Sequence, residues 1–163
     1  MTERPNRLRR RLAALEALPG FLRKALRNRL LGRAIPFTGT AGIEFPELGE
    51  DRVTLHLANR RKVRNHIGGV HAAAVALLAE TASGLALGMH IPDDKLPLLK
   101  SMTLRYVRRS SGGLVAIAQL TDSQIAELLD HERGDMNIAV EVRDAGNEET
   151  VVCEMIWAWV LRK

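Results

Sequence analysis

Residues Ala72 to Met89 form an eighteen-residue run, mostly Ala, Leu and Gly, in which Glu80 is the only ionisable group. A helix that is apolar nearly all the way round needs cover on every side. The run is long enough to raise the question of a membrane span. A carboxylate at a bilayer centre costs about 2.5–3.5 kcal/mol on insertion scales, and alanine returns little of that. Glu80, with Thr81 and Ser83 beside it, therefore points to a buried core helix over roughly 70–90. The rest of the chain has to wrap it.

The flanks read as strands. Ile43 and Phe45 alternate with Gly42 and Glu44, which predicts a strand around 40–48, with Pro36 and Gly39 marking a boundary before it. Gly49-Glu50-Asp51 is a turn, and Val53, Leu55 and Leu57 alternate with polar neighbours in a second strand. Pro92 ends the helix region. Residues 98–109 are of β type, with Leu104 and Tyr106 on one face and Thr103 and Arg105 on the other. Ser110 to Gly113 is a turn, and 114–120 a further strand. Residues 121–134 are polar, with a short helix opened by Asp122 as N-cap and closed near Gly134. Ile138, Val140 and Val142 alternate in another strand, and Asp144-Ala145-Gly146-Asn147 is a hairpin turn. Residues 151–161 form the last strand, with Trp157 and Trp159 on one face. Two strands, one central helix and four strands, joined by hairpin-type connections, predict an α+β fold: an antiparallel sheet wrapped around the helix. A second subunit would supply the cover that one sheet cannot.

Charge divides the chain of 163 residues. Residues 1–33 hold ten Lys/Arg against two acids, Glu3 and Glu16, while 34–163 hold fourteen basic and seventeen acidic residues. The net charge of +5 thus belongs to the N-terminal fifth, which argues against a nucleic-acid-binding domain. Leu8, Leu12 and Leu15, then Leu22, Leu26 and Leu30, follow helical spacing on either side of Pro19-Gly20. Two short amphipathic helices are expected over 1–33, ahead of a domain over 34–163. The plainer role for them is packing against the domain or a partner subunit; the sharper one is contact with an anionic membrane surface. Arg7 to Arg11 stand where a secretory signal needs its apolar region, and one cysteine, Cys153, builds no disulfide framework. A reducing, cytoplasmic setting is the expectation.

Glu80 leads the candidates for chemistry. Ala76, Leu77, Ala79 and Gly84 are its helical neighbours, so burial would raise its pKa toward the range a general base needs, unless backbone donors or a cation such as Arg105 compensate it. Asn65, His66 and His71 precede or open the helix, where free N–H groups and the positive dipole end suit a developing oxyanion. At about 100° per residue, His71 and Glu80 fall on opposite faces. One subunit should not unite them, whereas a two-fold dimer would.

The segment from Asn65 to Ala82, Asn-His-Ile-Gly-Gly-Val-His followed by small residues and Glu80, resembles the central-helix signature of hotdog-fold thioesterases. That signature has an Asn, a Gly in the next loop, a His six residues after the Asn, and an Asp or Glu nine residues after the His. The resemblance covers roughly 34–163 and is nearest the DUF4442 and phenylacetate-pathway (PaaI-like) types. It implies a hotdog fold, a dimer or tetramer, and hydrolysis of acyl-CoA thioesters without metal or other cofactor. It implies that Glu80 acts as general base or nucleophile, that Asn65 and His71 sit at the thioester, and that the Ala72 N–H polarises its carbonyl. His71-Ala72-Ala73 stands where the family often has His-Gly-Gly, and the added methyl groups narrow the approach that Gly permits. Arg60, Arg61, Lys62 and Arg64 suit the phosphates of CoA, with Arg105, Arg108 and Arg109 as a second basic group. His56, His90 and His131 show no metal-ligand spacing, and Ser83 lacks the context of a nucleophile elbow. The alternatives to an enzyme are a module that binds acyl-CoA or lipid without turnover, and an interaction protein built around the basic helices.

Overall fold

The computed structural model describes residues 6–163; residues 1–5, with Glu3 and Arg4 of the basic segment, lie outside it. Three helices come first: α1 (Arg7–Glu16), α2 (Gly20–Ala34) and α3 (Pro36–Ala41). Then follow β1 (Ile43–Leu48), β2 (Val53–Leu57), the long helix α4 (Ala72–His90), β3 (Lys95–Tyr106), β4 (Leu114–Ala118), α5 (Asp122–Asp130), β5 (Gly134–Ile138), β6 (Val140–Asp144) and β7 (Glu149–Leu161). The strands form one antiparallel sheet in the order β1-β2-β4-β6-β7-β3, with β5 also paired to β7. This is the hotdog fold: the sheet curls around α4, which touches β1, β2, β3, β4, β6 and β7.

α4 is long and apolar enough to cross a membrane, but it lies in the core. Val75, Leu78, Ala79, Ala82, Leu85, Ala86 and Leu87 are buried against the sheet. Ser83 makes the back-bond expected of it, 3.0 Å from the Ala79 carbonyl, and accepts the indole N–H of Trp157 at 2.9 Å. A Cβ at Gly84 would come within 2.8 Å of the Trp157 ring, so glycine lets helix and strand meet. The cover is incomplete along one stripe, where Ala73, Ala76, Leu77 and Glu80 keep exposure.

The structure corrects the sequence reading at four places. The boundary at Pro36 is a short helix, with Pro at its first turn and Gly42 ending it at a φ of 76°. β3 begins at Lys95, earlier than expected, and runs through Pro97; an edge strand tolerates the missing donor. α5 is capped by Thr121, not Asp122: Thr121 Oγ1 accepts the Gln124 N–H, and Gln124 Oε1 accepts the Thr121 N–H at 2.9 Å. Gly134 does not close that helix but opens β5, which makes seven strands in place of six. The reason is packing, since a Cβ at Gly134 would stand 2.4 Å from the fully buried Trp159 ring.

The C-terminal end of α5 is closed by Lys95. Its side chain is only 5% exposed, and Nζ donates to the carbonyls of Leu128 (2.5 Å), Leu129 (3.2 Å) and His131 (2.9 Å). All three donors of the ammonium are used: two on the Leu128 and Leu129 carbonyls that the helix end leaves unpaired, and one on the carbonyl of the C-cap His131, which also accepts the Trp159 indole N–H. α1 and α2 are separated at Pro19-Gly20 as expected. Leu8 and Leu12 of α1 pack against the core, and Asn6 Nδ2 donates to the Gly88 and Ile91 carbonyls at 2.8 Å.

Candidate active site

The loop before α4 is built around Asn65. Its Oδ1 accepts the N–H groups of Ile67 (3.1 Å) and Gly69 (3.0 Å), and its own N–H donates to the Gly69 carbonyl at 2.8 Å. Gly68 turns the chain at a φ of 82°. With the side-chain oxygen spent on the loop, the Nδ2 group is the half of the amide left to face a ligand. His71 is the N-cap of α4, and its Nδ1 accepts the Ala73 N–H at 3.1 Å. That bond sets the proton of the neutral ring on Nε2. Ala72 is the first helical residue, so its N–H has no partner within the helix and points out of the positive dipole end.

Asn65 and Ala72 share a cavity of about 410 Å³ with Val70, Tyr106, Arg109 and Val151. Tyr106 is the one tyrosine, and its hydroxyl donates to the Ala72 carbonyl at 2.8 Å, which ties the end of β3 to the start of α4. Burial raises the Tyr106 pKa, so the phenol stays protonated and keeps that bond. Sequence reasoning did not reach Tyr106, because the contact spans 34 residues and no local pattern signals it. Arg109 donates to the Ile67 carbonyl at 3.0 Å, and Arg108 lies on the same wall.

The structure separates the remaining predicted residues. Glu80 stands eight residues beyond Ala72, about 12 Å along the helix axis, and does not line that cavity. Burial raises its pKa, offset in part by the Thr81 hydroxyl, which lies 3.3 Å from Glu80 Oε2 and closer, 2.6 Å, to the Leu77 carbonyl. Neither Arg105 nor any other cation pairs with Glu80 among the described residues. His71 caps the helix beside the cavity without lining it. Of the first basic cluster, Arg60 pairs with Glu44 at 3.2 Å and Arg64 donates to Asn59 Oδ1 at 3.0 Å, while Arg61 and Lys62 are exposed. None of the four lines the cavity; Arg108 and Arg109, of the second cluster, do. Among the described residues no three His, Cys, Asp or Glu side chains are grouped to hold a metal ion.

Solved structures share this fold. A Pseudomonas aeruginosa protein of unknown function, called a probable thioesterase, is 23% identical with a TM-score of 0.77 over 89% of this chain and 97% of that one. A Haemophilus influenzae thioesterase is 19% identical with a TM-score of 0.64, over 77% and 82% of the two chains. A Staphylococcus aureus thioesterase, solved as a Gln-to-Ala variant, is 16% identical with a TM-score of 0.63, over 77% and 98%. No curated protein matches the chain. The sequence model of the domain of unknown function DUF4442 matches residues 23–160, from within α2 to the end of β7, and the chain belongs to that family.

Proposed function

We propose that this chain is an acyl-CoA thioesterase, active as a homodimer in which each site is completed by two protomers. The observation that carries the reading is Glu80: a half-buried carboxylate of raised pKa, without an ion pair among the described residues, on the one open stripe of α4. The donors suited to a carbonyl oxygen, Asn65 Nδ2 and the Ala72 N–H, lie at the other end of the same helix turns. β3 ends the sheet and is paired on one side only, and it exposes Leu98, Met102 and Tyr106. A long edge with apolar side chains is a template for pairing with a copy of itself. Such pairing would lay one protomer's Glu80 against its partner's Asn65–Ala72 loop.

In that arrangement Glu80 takes a proton from water as the water oxygen bonds to the thioester carbon. Negative charge gathers on the carbonyl oxygen, held by the Ala72 N–H and the Asn65 amide. One such donor is worth about 2.7–4 kcal/mol in other acyl-transfer sites. Collapse breaks the carbon–sulfur bond, and the departing CoA thiolate takes the proton back from Glu80. In the nucleophilic variant Glu80 attacks the carbon itself, the carbon–sulfur bond breaks and CoA leaves as its thiolate. Water then hydrolyses the anhydride, freeing the acid and the Glu80 carboxylate and returning a proton to the thiolate. Arg108 and Arg109, on the wall of the cavity, suit the phosphates of CoA better than Arg60, Arg61, Lys62 and Arg64, which lie off it. The names of the similar Haemophilus and Staphylococcus proteins agree with a thioester substrate. The single cysteine agrees with a cytoplasmic setting.

A non-catalytic acyl-CoA-binding module is the second reading. It is favoured by Ala72-Ala73 in place of glycines and by the Ala73 N–H being spent on His71. Thiol release from short, long and aryl acyl-CoA, by wild type and Glu80→Gln, separates the two. Hydrolysis that falls by about 10²–10⁴ in the variant supports the enzyme. Binding without turnover by wild type supports the module.

A further inference from the structure

Between Glu16 and Glu44 the chain has no acidic residue and five basic ones, Arg23, Lys24, Arg27, Arg29 and Arg33. Most of that stretch is α2. The helix meets the protein body through Leu31, which is buried, through Asn28 Oδ1, which accepts the Phe45 N–H at 3.1 Å, and through Arg27, which donates to the Pro46 carbonyl at 2.6 Å. The opposite face carries Leu22, Leu26 and Leu30, four residues apart and stacked in one ridge. They are 42, 40 and 50% exposed, and Phe21 in the first turn is 76% exposed. Lys24 pairs with Glu44 and Arg23 with Glu16. Arg29 and Arg33, on the outward face at about 100° per residue, have no ion pair among the described residues. Leu8 and Leu12 of α1 are used for packing; Leu22, Leu26 and Leu30 of α2 are not.

We propose that α2 is an interfacial helix that docks the protein on a membrane surface carrying anionic lipids. Leu22, Leu26 and Leu30 enter the boundary between headgroups and acyl chains, and Arg29 and Arg33 reach the headgroup phosphates on their long stems. The occupant follows from charge. A second copy of this chain would bring the same unpaired arginines against themselves, with no acid on α2 to receive them. A nucleic acid would leave the leucine ridge uncovered. A surface both anionic and apolar satisfies the two halves of the face together.

The test is co-sedimentation of the full chain with vesicles of phosphatidylcholine, with and without phosphatidylserine, for wild type, Arg29→Gln/Arg33→Gln and Leu22→Ser/Leu26→Ser/Leu30→Ser. The expected result is binding to the anionic vesicles alone, weakened by salt. The arginine pair should weaken it about 30-fold and the leucine triple should abolish it. The arginine pair is on the surface and should melt with wild type, so lost binding there is not lost folding. Equal partition of wild type to both vesicle types, or undiminished binding by both variants, overturns the proposal. So does a leucine triple that lowers the oligomeric mass in solution, which would assign the ridge to a second copy.

Discussion

Replacing Glu80 with Gln should make the protein more stable while it removes activity. The carboxylate is half-buried among Ala76, Leu77 and Gly84, with one 3.3 Å contact to the Thr81 hydroxyl and no cation among the described residues. Burial raises its pKa, so the folded protein holds the Glu80 proton more tightly than the unfolded chain does. Its contribution is therefore most favourable below the unfolded carboxylate value, about 4.3, and is lost as pH rises through the raised folded value. At neutral pH the ionised group costs stability. A fully buried, uncompensated carboxylate would cost several kcal/mol, but Glu80 keeps contact with solvent, and about 1 kcal/mol is the scale once screening is allowed for. In a chain of this length that is a rise in Tm of about 2–4 °C for Glu80→Gln at pH 7, shrinking toward zero near pH 4. Thermal melts of both proteins at the two pH values read it directly. A variant that melts lower than wild type at pH 7 would refute the reasoning, because it would mean that native contacts compensate the charge.

Lys95→Met leaves the Leu128 and Leu129 carbonyls at the end of α5 without their donor, while the His131 carbonyl keeps the Trp159 N–H. A loss of about 3 kcal/mol, or about 6–12 °C in Tm, is expected, and an unchanged melt would show the ammonium to be dispensable. Gly134→Ala drives a methyl group into the Trp159 ring, whose N–H is fixed on the His131 carbonyl at 2.8 Å. It should cost about 2 kcal/mol and lower Tm by about 4–8 °C without touching the cavity residues.

Much of this architecture is legible along the chain. The run around Glu80 can only be a covered helix, and hairpin turns such as Asp144 to Asn147 fix their neighbours as antiparallel. The separation of Glu80 from the Asn65–Ala72 loop also follows from helical geometry alone. What the chain conceals is decided by distant partners. Gly134 looks like a helix stop because nothing local reveals that Trp159, twenty-five residues on, occupies the space of its Cβ. Lys95 looks like a surface residue until the end of α5 folds over it. Leucine spacing marks α2 as a helix but does not tell which face the protein body takes; it takes Leu31, and the ridge at Leu22, Leu26 and Leu30 stays in solvent. The basic cluster nearest the site loop in sequence lies off the cavity, while Arg108 and Arg109, forty residues away, are brought to it by the return of β3 along α4.

The central claim, that Glu80 of one protomer works on the Asn65–Ala72 loop of its partner, is tested most directly by mixing two disabled chains. Glu80→Gln and Asn65→Ala are each expected to lose most thiol release from acyl-CoA. Unfolded and refolded together in equal amounts, they form mixed dimers in which one of the two sites has both residues intact, so about one quarter of the wild-type rate should return. No recovery in the mixed protein, beside an active wild type treated in the same way, would contradict a shared site.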